Sequence, residues 1–270
     1  MTTLADHRAA SGAVLKRDWA VFRSYRLRFV SQIVSNFLAV ALFYYLSQIV
    51  GTRAFDSSEA YFAFAVVGLV LMEVLFATMA VLPLSLRQEL VAGTLERLVL
   101  SPFGLVSAVV AMTVFPFSFA FAQGIVTLAV AGVVFGMPVA WATAPLAIPI
   151  AFLAALAFLP FSLLIAGSVI LVKQAGAAAG FVVTAISLVG GFLFPVYLLP
   201  AWIEWMSEVQ PFTPALDLLR HLLVDTPLAG SPWATVAKLL AFAALLLPVS
   251  LLSLHRFIRL AQQRGTIVEY

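Results

Sequence analysis

The chain has 270 residues, of which 63% are hydrophobic and 10% are charged. Soluble domains are about 45–50% apolar, so this composition excludes an ordinary soluble protein and indicates a single integral membrane domain, residues 1–270. There is no cysteine, which excludes disulfides and cysteine-based metal sites, and the net charge of +3 is a weak basis for a nucleic-acid partner. The three histidines are far apart in sequence, which disfavours a metal cluster: His7, His221 and His255.

Residues 10–27 predict an amphipathic helix that lies on the inner membrane surface. Leu15, Trp19 and Phe22 share one helical face. Cations lying away from that face would meet anionic lipid headgroups. An ordinary basic segment beside the membrane is the simpler alternative. The cations that lie away from the apolar face are Lys16, Arg17 and Arg23.

Six apolar runs are long enough to cross a bilayer as helices, which requires about 20 residues each. Prolines in the third and fourth runs predict kinks, tilt or segments outside the hydrocarbon core. An even number of spans places both termini on one side of the membrane. The predicted spans are approximately 28–50, 61–85, 104–135, 144–172, 177–198 and 234–254.

The Lys and Arg residues predict the orientation of these spans. All of them except Arg53, Arg220 and Lys238 fall in the N-terminal segment, after the second span, between the fourth and fifth spans, or in the tail. Cytoplasmic loops carry the positive excess, so both termini are predicted to be cytoplasmic. The first apolar run is too long for a cleavable signal, and the chain is predicted to be a multi-pass protein of the cell membrane.

Glu73 lies in the middle of the second predicted span. A carboxyl group at that depth costs about 2.5–3.5 kcal/mol on insertion scales, so it should face protein or a water-filled cavity. It could contact substrate, carry protons or accept a structural hydrogen bond. Without a second intramembrane charge to receive a proton, the structural role is favoured.

Residues 87–101 form a charged island between the second and third spans. The island begins at Arg87 and holds two glutamates and a second arginine, so it should lie at a membrane surface. Its leucines recur at helical spacing around a Gly93–Thr94 step, which predicts a short helix. A small charged helix at the end of a membrane hairpin is suited to docking onto a soluble partner.

Small residues recur along the fifth predicted span, at a spacing of three or four. Such a stripe lets two helices approach closely in lipid, where packing drives association. Packing inside one subunit and contact between two subunits are both consistent with the pattern. The stripe consists of Gly176, Gly180, Thr184, Ser187 and Gly191.

Residues 192–232 precede the last span and are broken by several prolines. Between the prolines lie short amphipathic pieces that carry Trp202 and Trp205, and such aromatics favour the membrane interface. Two broken helices that dip into the outer leaflet and return would fit, provided that protein covers their backbone.

These features together resemble the ABC-2 type permeases of ATP-binding-cassette exporters, over nearly the whole chain. The marks are the basic N-terminal segment, the six spans, the E-x-x-x-G-T-L-E segment and the proline-rich outer segment. The resemblance implies that residues 87–101 are a coupling helix that docks onto an ATPase. The residues implied to make that contact are Glu89, Gly93, Thr94, Leu95, Glu96 and Arg97.

The resemblance also implies that the outer segment is a re-entrant hairpin with Pro195, Pro200 and Pro211 at its turns and Thr213 following. The family often has Asn-Pro-x-Thr-Tyr at this point, whereas the chain has Gln-Pro-Phe-Thr-Pro over 210–214. Two copies would pair with two copies of a separate ATPase. The first and fifth spans would meet at the dimer contact, which favours an interface role for the small-residue stripe.

The chain contains no GxxxxGK[ST] phosphate loop and no evident catalytic cluster, so it should be a transport subunit rather than an enzyme. The resemblance implies that ATP and Mg²⁺ bind to the partner ATPase and that this chain binds no cofactor. It implies export of an amphipathic, lipid or drug-like substrate, or alternatively of a lipid-linked polysaccharide or teichoic acid. A proton-coupled secondary transporter that uses Glu73 is the alternative from another class, although no internal repeat supports it.

Overall fold

The structure is a computed structural model that describes residues 12, 16, 19–20, 23–24, 26–49, 55–94, 104–172, 176–228 and 230–264. These residues form helices and their connections, without strands, which confirms the all-α fold class. A 3-10 turn, Val196–Leu198, lies between the sixth and seventh helices. The helices are α1 Arg26–Ile49, α2 Ser58–Met79, α3 Val81–Val91, α4 Gly104–Val133, α5 Ala144–Val172, α6 Gly176–Val189, α7 Ala201–Val209, α8 Phe212–Val224 and α9 Pro232–Arg264.

Five of these helical stretches are long and apolar enough to cross a membrane, which agrees with an integral membrane protein. Each of them overlaps one of the predicted spans. The five are Val30–Ile49, Ser58–Val91, Ala111–Val133, Ala144–Ile170 and Pro232–Gln263.

The fifth predicted span differs from its prediction, because α6 ends at Val189 rather than near 198. Its 14 residues span about 21 Å, which is less than the hydrocarbon core of about 30 Å. The helix stops because Gly191 adopts a left-handed conformation, with φ of 81°, and the Phe192 N–H donates to the Ser187 carbonyl at 3.2 Å. The prediction of one helix over 177–198 is therefore wrong in its second half.

Helices α2 and α3 follow each other directly and are separated only at Ala80, and we call the two together the arm. The hydroxyl of Ser57 caps its start by accepting from the Ala60 N–H at 3.1 Å. Helical hydrogen bonds continue on both sides of Ala80, but Pro83 has no N–H to donate to the preceding turn, and this accounts for the interruption at Ala80. The arm is therefore an almost continuous helix from residue 58 to residue 91.

The buried side chains form three clusters along the bundle. In the central cluster, residues of α2, α5 and α8 pack around Phe158 and Phe212. In a second cluster, Leu90 of α3 packs with residues near the ends of α5 and α9. In a third, Val40 of α1 packs with Phe62 of α2 and with the turn after α4. Within each of the second and third clusters, the packed segments are ones that the sequence predicts to lie on the same side of the membrane.

The segment between α6 and α9 consists of short helical pieces, each of which follows a proline: Pro195, Pro200 and Pro211. The Gln210 side chain fixes the start of α8. Its Oε1 accepts from the Phe212 N–H at 3.1 Å, and its Nε2 donates to the Thr213 hydroxyl at 2.8 Å. Gln210 thus supplies the polar contacts at the position where the sequence departs from the family pattern.

Arg220 ties this outer segment to the bundle from inside the protein, with only 4% of its surface exposed. Its guanidinium donates to the Phe64 carbonyl of α2 at 3.1 Å and to the carbonyls of Gly191 and Phe192 at 3.0 and 3.2 Å. It also lies 3.2 Å from the centre of the Phe64 ring. Burial lowers the pKa of Arg220 to about 9, so the group keeps its charge at neutral pH. One side chain therefore joins α8, α2 and the end of α6.

We expect Arg220→Met to lower the stability of the protein by about 2–4 kcal/mol, because the buried carbonyl groups of Gly191 and Phe192 lose their charged donor. The shift in unfolding midpoint of the detergent-purified chain measures this. Lys238→Met is the matched control, since its ion pair with Glu208 at 2.8 Å is solvent-exposed and should contribute about 1 kcal/mol or less. Equal shifts for the two variants would contradict the structural role of Arg220.

Candidate functional site

The island predicted to couple to a partner begins at the end of the α2–α3 arm. Helix α3 ends at Val91, and Gly93 takes a left-handed conformation with φ of 67°. The Gly93 N–H donates to the Leu90 carbonyl at 3.2 Å, and the Thr94 N–H donates to the Glu89 carbonyl at 3.0 Å. This is the Schellman pattern that terminates helices.

The prediction of one helix over 87–101 is therefore wrong, because residues 87–91 are the last turn of α3 and the chain turns at Gly93. Gly93 marks the end of a helix and not a step inside one. Leu95, Glu96 and Arg97 lie outside the described residues.

Glu89 and Thr94 are held together at this turn. The Thr94 hydroxyl donates to the Glu89 carboxylate and lies 3.2 Å from the Glu89 carbonyl oxygen. Because Gly93 reverses the chain, a side chain from each side of the turn contributes to one polar surface. The turn thus presents a carboxylate in a fixed position at the tip of the arm.

At the middle of the bundle, Glu73 meets polar groups from two other helices. The Asn36 amide of α1 donates to Glu73 Oε1 at 2.5 Å, and the Thr127 hydroxyl of α4 lies 3.4 Å from the same oxygen. The Asn36 amide also lies 3.3 Å from the Thr127 hydroxyl, which closes a triangle. We call these three residues the polar triad. Glu73 accepts hydrogen bonds across the interfaces of α2 with α1 and α4, as the structural interpretation of this residue expects.

Sequence reasoning identified Glu73 and missed its partners. A usable signal was present, because Gln32 and Asn36 are four residues apart on α1, and Gln123 and Thr127 are four apart on α4. Two polar residues at that spacing mark one helix face. The Gln123 amide lies 3.5 Å from the Gln32 carbonyl, so the two polar faces are directed toward each other.

The small-residue stripe does not form a single surface. Ser187 and Gly191 are buried within the subunit, and the Gly191 carbonyl accepts from Arg220. Thr184 is exposed, and the position of a Cβ on Gly180 would be open. Gly176 is the first residue of α6. The prediction that the whole stripe is a dimer surface is therefore wrong for Ser187 and Gly191, which pack inside one subunit.

Little of the predicted interfacial helix over 10–27 falls within the described residues. Those that do are helical, namely Gly12, Lys16, Trp19, Ala20, Arg23, Ser24 and the start of α1. Trp19, Lys16 and Arg23 are exposed. Leu15, Arg17 and Phe22 lie outside the described residues, so the amphipathic face remains a prediction.

A double-mutant cycle tests the polar triad. Asn36→Leu, Glu73→Gln and the double variant should reveal a favourable coupling free energy of about 0.6–1.7 kcal/mol, because both single changes weaken the same hydrogen bond. The measurement is the unfolding free energy of the four proteins in mixed detergent micelles. A cycle between Asn36→Leu and Glu59→Gln, which is exposed at the far end of α2, should give additive effects. Additive effects in the first cycle would contradict the contact.

A scan against protein-family models matches residues 10–224 to the ABC-2 type transporter family. The match covers α1 to α8, including the arm, the polar triad and the outer helices that Arg220 holds. A search of curated proteins finds no match. The model match spans most of the chain and agrees with its all-helical architecture, and the chain therefore belongs to the ABC-2 type transporter family and is a permease subunit of an ABC transporter.

Proposed function

We propose that this permease subunit forms half of the membrane channel of an ATP-driven exporter for amphipathic, lipid or drug-like molecules. Two copies would pair with two copies of a separate ABC ATPase, which binds the ATP and Mg²⁺. The complex would lie in the cell membrane with both termini of this chain in the cytoplasm. Export of a lipid-linked polysaccharide or teichoic acid is the alternative within the same family.

The continuity of the α2–α3 arm is the observation that carries this proposal. Its tip holds Glu89 beside Thr94, its middle holds Glu73 in the polar triad, and its far part holds Phe64 against Arg220. A push on the tip by a closing ATPase would act on the middle of the bundle and on the outer helices together. A contiguous packed helix of this kind is one route by which coupling travels between distant sites.

Two exposed apolar surfaces support a dimer. Of the described side chains of α1, only Val40 and Ser47 are buried. On α6, Phe181, Thr184 and Leu188 are exposed along one face, next to the open position at Gly180. In lipid, a helix face with small residues favours close packing with a second helix. We therefore assign the dimer contact to α1 and to this part of α6.

Proton coupling through Glu73 has less support. The hydrogen-bond donors that reach Glu73 in the described structure are the Asn36 amide and the Thr127 hydroxyl, neither of which titrates in the physiological range. A proton relay needs a chain of groups that exchange protons. Glu73 is better suited to holding three helices together.

The coupling test compares wild type with Glu89→Ala/Glu96→Ala, co-purified with the candidate ATPase in nanodiscs. We expect the double variant to lose binding of the ATPase or to lower coupled ATP turnover by about tenfold or more, because charged hydrogen bonds each contribute about 1.5–3 kcal/mol. Glu59→Ala/Glu204→Ala is the matched control, since it removes two exposed glutamates at the opposite end. If no ATPase binds to the wild type, the exporter assignment is wrong.

The turn at Gly93 gives a second test, which changes no charge. Gly93→Val should lower coupled turnover, because a β-branched residue does not adopt the left-handed conformation and the Glu89–Thr94 contact would be lost. Gly93→Asn should keep most of the turnover, since Asn tolerates that conformation. Equal activity of both variants would show that the turn geometry does not matter for coupling.

A further inference from the structure

Helix α9 is longer than a bilayer crossing requires. Its 33 residues span about 50 Å, whereas the hydrocarbon core is about 30 Å thick. Trp233, in its first turn, is 79% exposed, and exposed tryptophans favour the membrane interface. A helix that enters the hydrocarbon beside Trp233 leaves it at about residue 253. The last turns of α9 therefore lie at the headgroups and beyond, on the side of the membrane where the arm ends.

One face of α9 changes from apolar to basic at this depth. Leu245, Val249 and Leu252 are exposed and recur at the spacing of a single helical face. The next two residues along the same face are Arg256 and Arg259, which are also exposed. An exposed apolar face of a spanning helix contacts acyl chains, and Arg256 follows Leu252 by about one turn, or 5.4 Å. The two guanidinium groups thus lie where the headgroups of the same lipids lie.

The opposite face of α9 fixes the direction of these arginines. Leu254 and Ile258 are buried in the second cluster. Beside them the Phe257 ring packs over Gly167 of α5, where a Cβ atom would overlap the ring. Rotation of α9 would break this packing and expose the buried side chains, which is costly in water and at the membrane surface. The basic face is therefore held toward the lipid by the fold.

The chemistry of this face favours an anionic headgroup. Helix α9 contains no Asp or Glu, so its arginines have no counter-ion on their own helix. Their spacing of three residues brings the two side chains together on the helix surface. Guanidinium groups bind phosphate oxygens through paired hydrogen bonds. A phosphatidylcholine headgroup carries its own cation beside the phosphate, whereas an anionic headgroup leaves its charge for the protein.

We propose that Arg256 and Arg259 form a binding site for the phosphate of an anionic phospholipid. The lipid belongs to the leaflet at which the arm ends, which is the inner leaflet in the predicted orientation. Its acyl chains lie along Val249 and Leu252. The site goes beyond the proposed function, because it does not depend on which molecule the subunit transports. A docked ATPase is less suited to this face, since the arginines directly continue a lipid-facing stripe.

Photolabelling of the full chain in phosphatidylcholine nanodiscs tests the site. The probe is a small fraction of phosphatidylglycerol that carries a diazirine on one acyl chain, and the reference is phosphatidylcholine with identical chains. We expect the glycerol lipid to label the second half of α9 about tenfold more than the reference. An arginine near an anionic surface contributes a factor of about five.

Variants assign this excess to the two arginines. Arg256→Gln/Arg259→Gln should bring the labelling of α9 by the two lipids close to equality. Arg256→Lys/Arg259→Lys should keep most of the excess, because the charge remains. Lys238→Gln is the matched control, since it removes an exposed cation from the other end of the same helix, and it should keep all of the excess.

Three results would overturn the proposal. The first is equal labelling of wild-type α9 by the two lipids. The second is an excess that persists in Arg256→Gln/Arg259→Gln, because anionic lipid would then be held by other residues. The third is loss of ATPase binding by that variant in nanodiscs of phosphatidylcholine alone, which would assign the basic face to the ATPase. The labelling itself needs no ATPase, so a failed exporter assignment would leave its result intact.

Discussion

The architecture depends on how the backbone carbonyls at the broken end of α6 are satisfied. In hydrocarbon, an unpaired backbone group costs several kcal/mol, so a helix cannot stop within a membrane unless another group takes its hydrogen bonds. Arg220 does this for Gly191 and Phe192 and also contacts Phe64 on α2. Because these contacts come from α8, the end of the short α6 depends on the outer helices for its hydrogen bonds. The outer segment is thus part of the fold and not an appended loop.

The same arginine connects the outer helices to the α2–α3 arm, and the arm explains how distant parts of the chain can act together. The arm is buried over much of its length, and its contacts are made by three different kinds of group: a backbone carbonyl at Phe64, a carboxyl group at Glu73 and a turn at Gly93. Packed cores change between discrete arrangements and do not deform continuously. A displacement of the tip must therefore be absorbed at the interruption near Ala80 and Pro83 or transmitted to the polar triad.

Hydropathy alone predicted the membrane class and the position of five long helices, because a span is recognised by length and apolar composition. It failed at Val189, since a Schellman turn depends on the left-handed conformation of one glycine and not on polarity. The helix predicted over 87–101 failed for the same reason, because Gly93 also adopts the left-handed conformation. The spacing of polar residues on α1 and α4 marks a polar face on each helix, but only the packing of three helices shows that Asn36 and Thr127 meet Glu73. The small-residue stripe does not form one surface, because the spacing of residues along a helix does not show which neighbouring element each residue contacts.

Helix α1 is the least buried of the five candidate membrane spans. Among its described side chains, Val40 and Ser47 are the buried ones, whereas Ile33, Val34 and Phe37 are largely exposed. The Asn36–Glu73 hydrogen bond is therefore a substantial part of what holds α1 to the arm. The position of α1 is therefore sensitive to any displacement of the arm that lengthens this hydrogen bond.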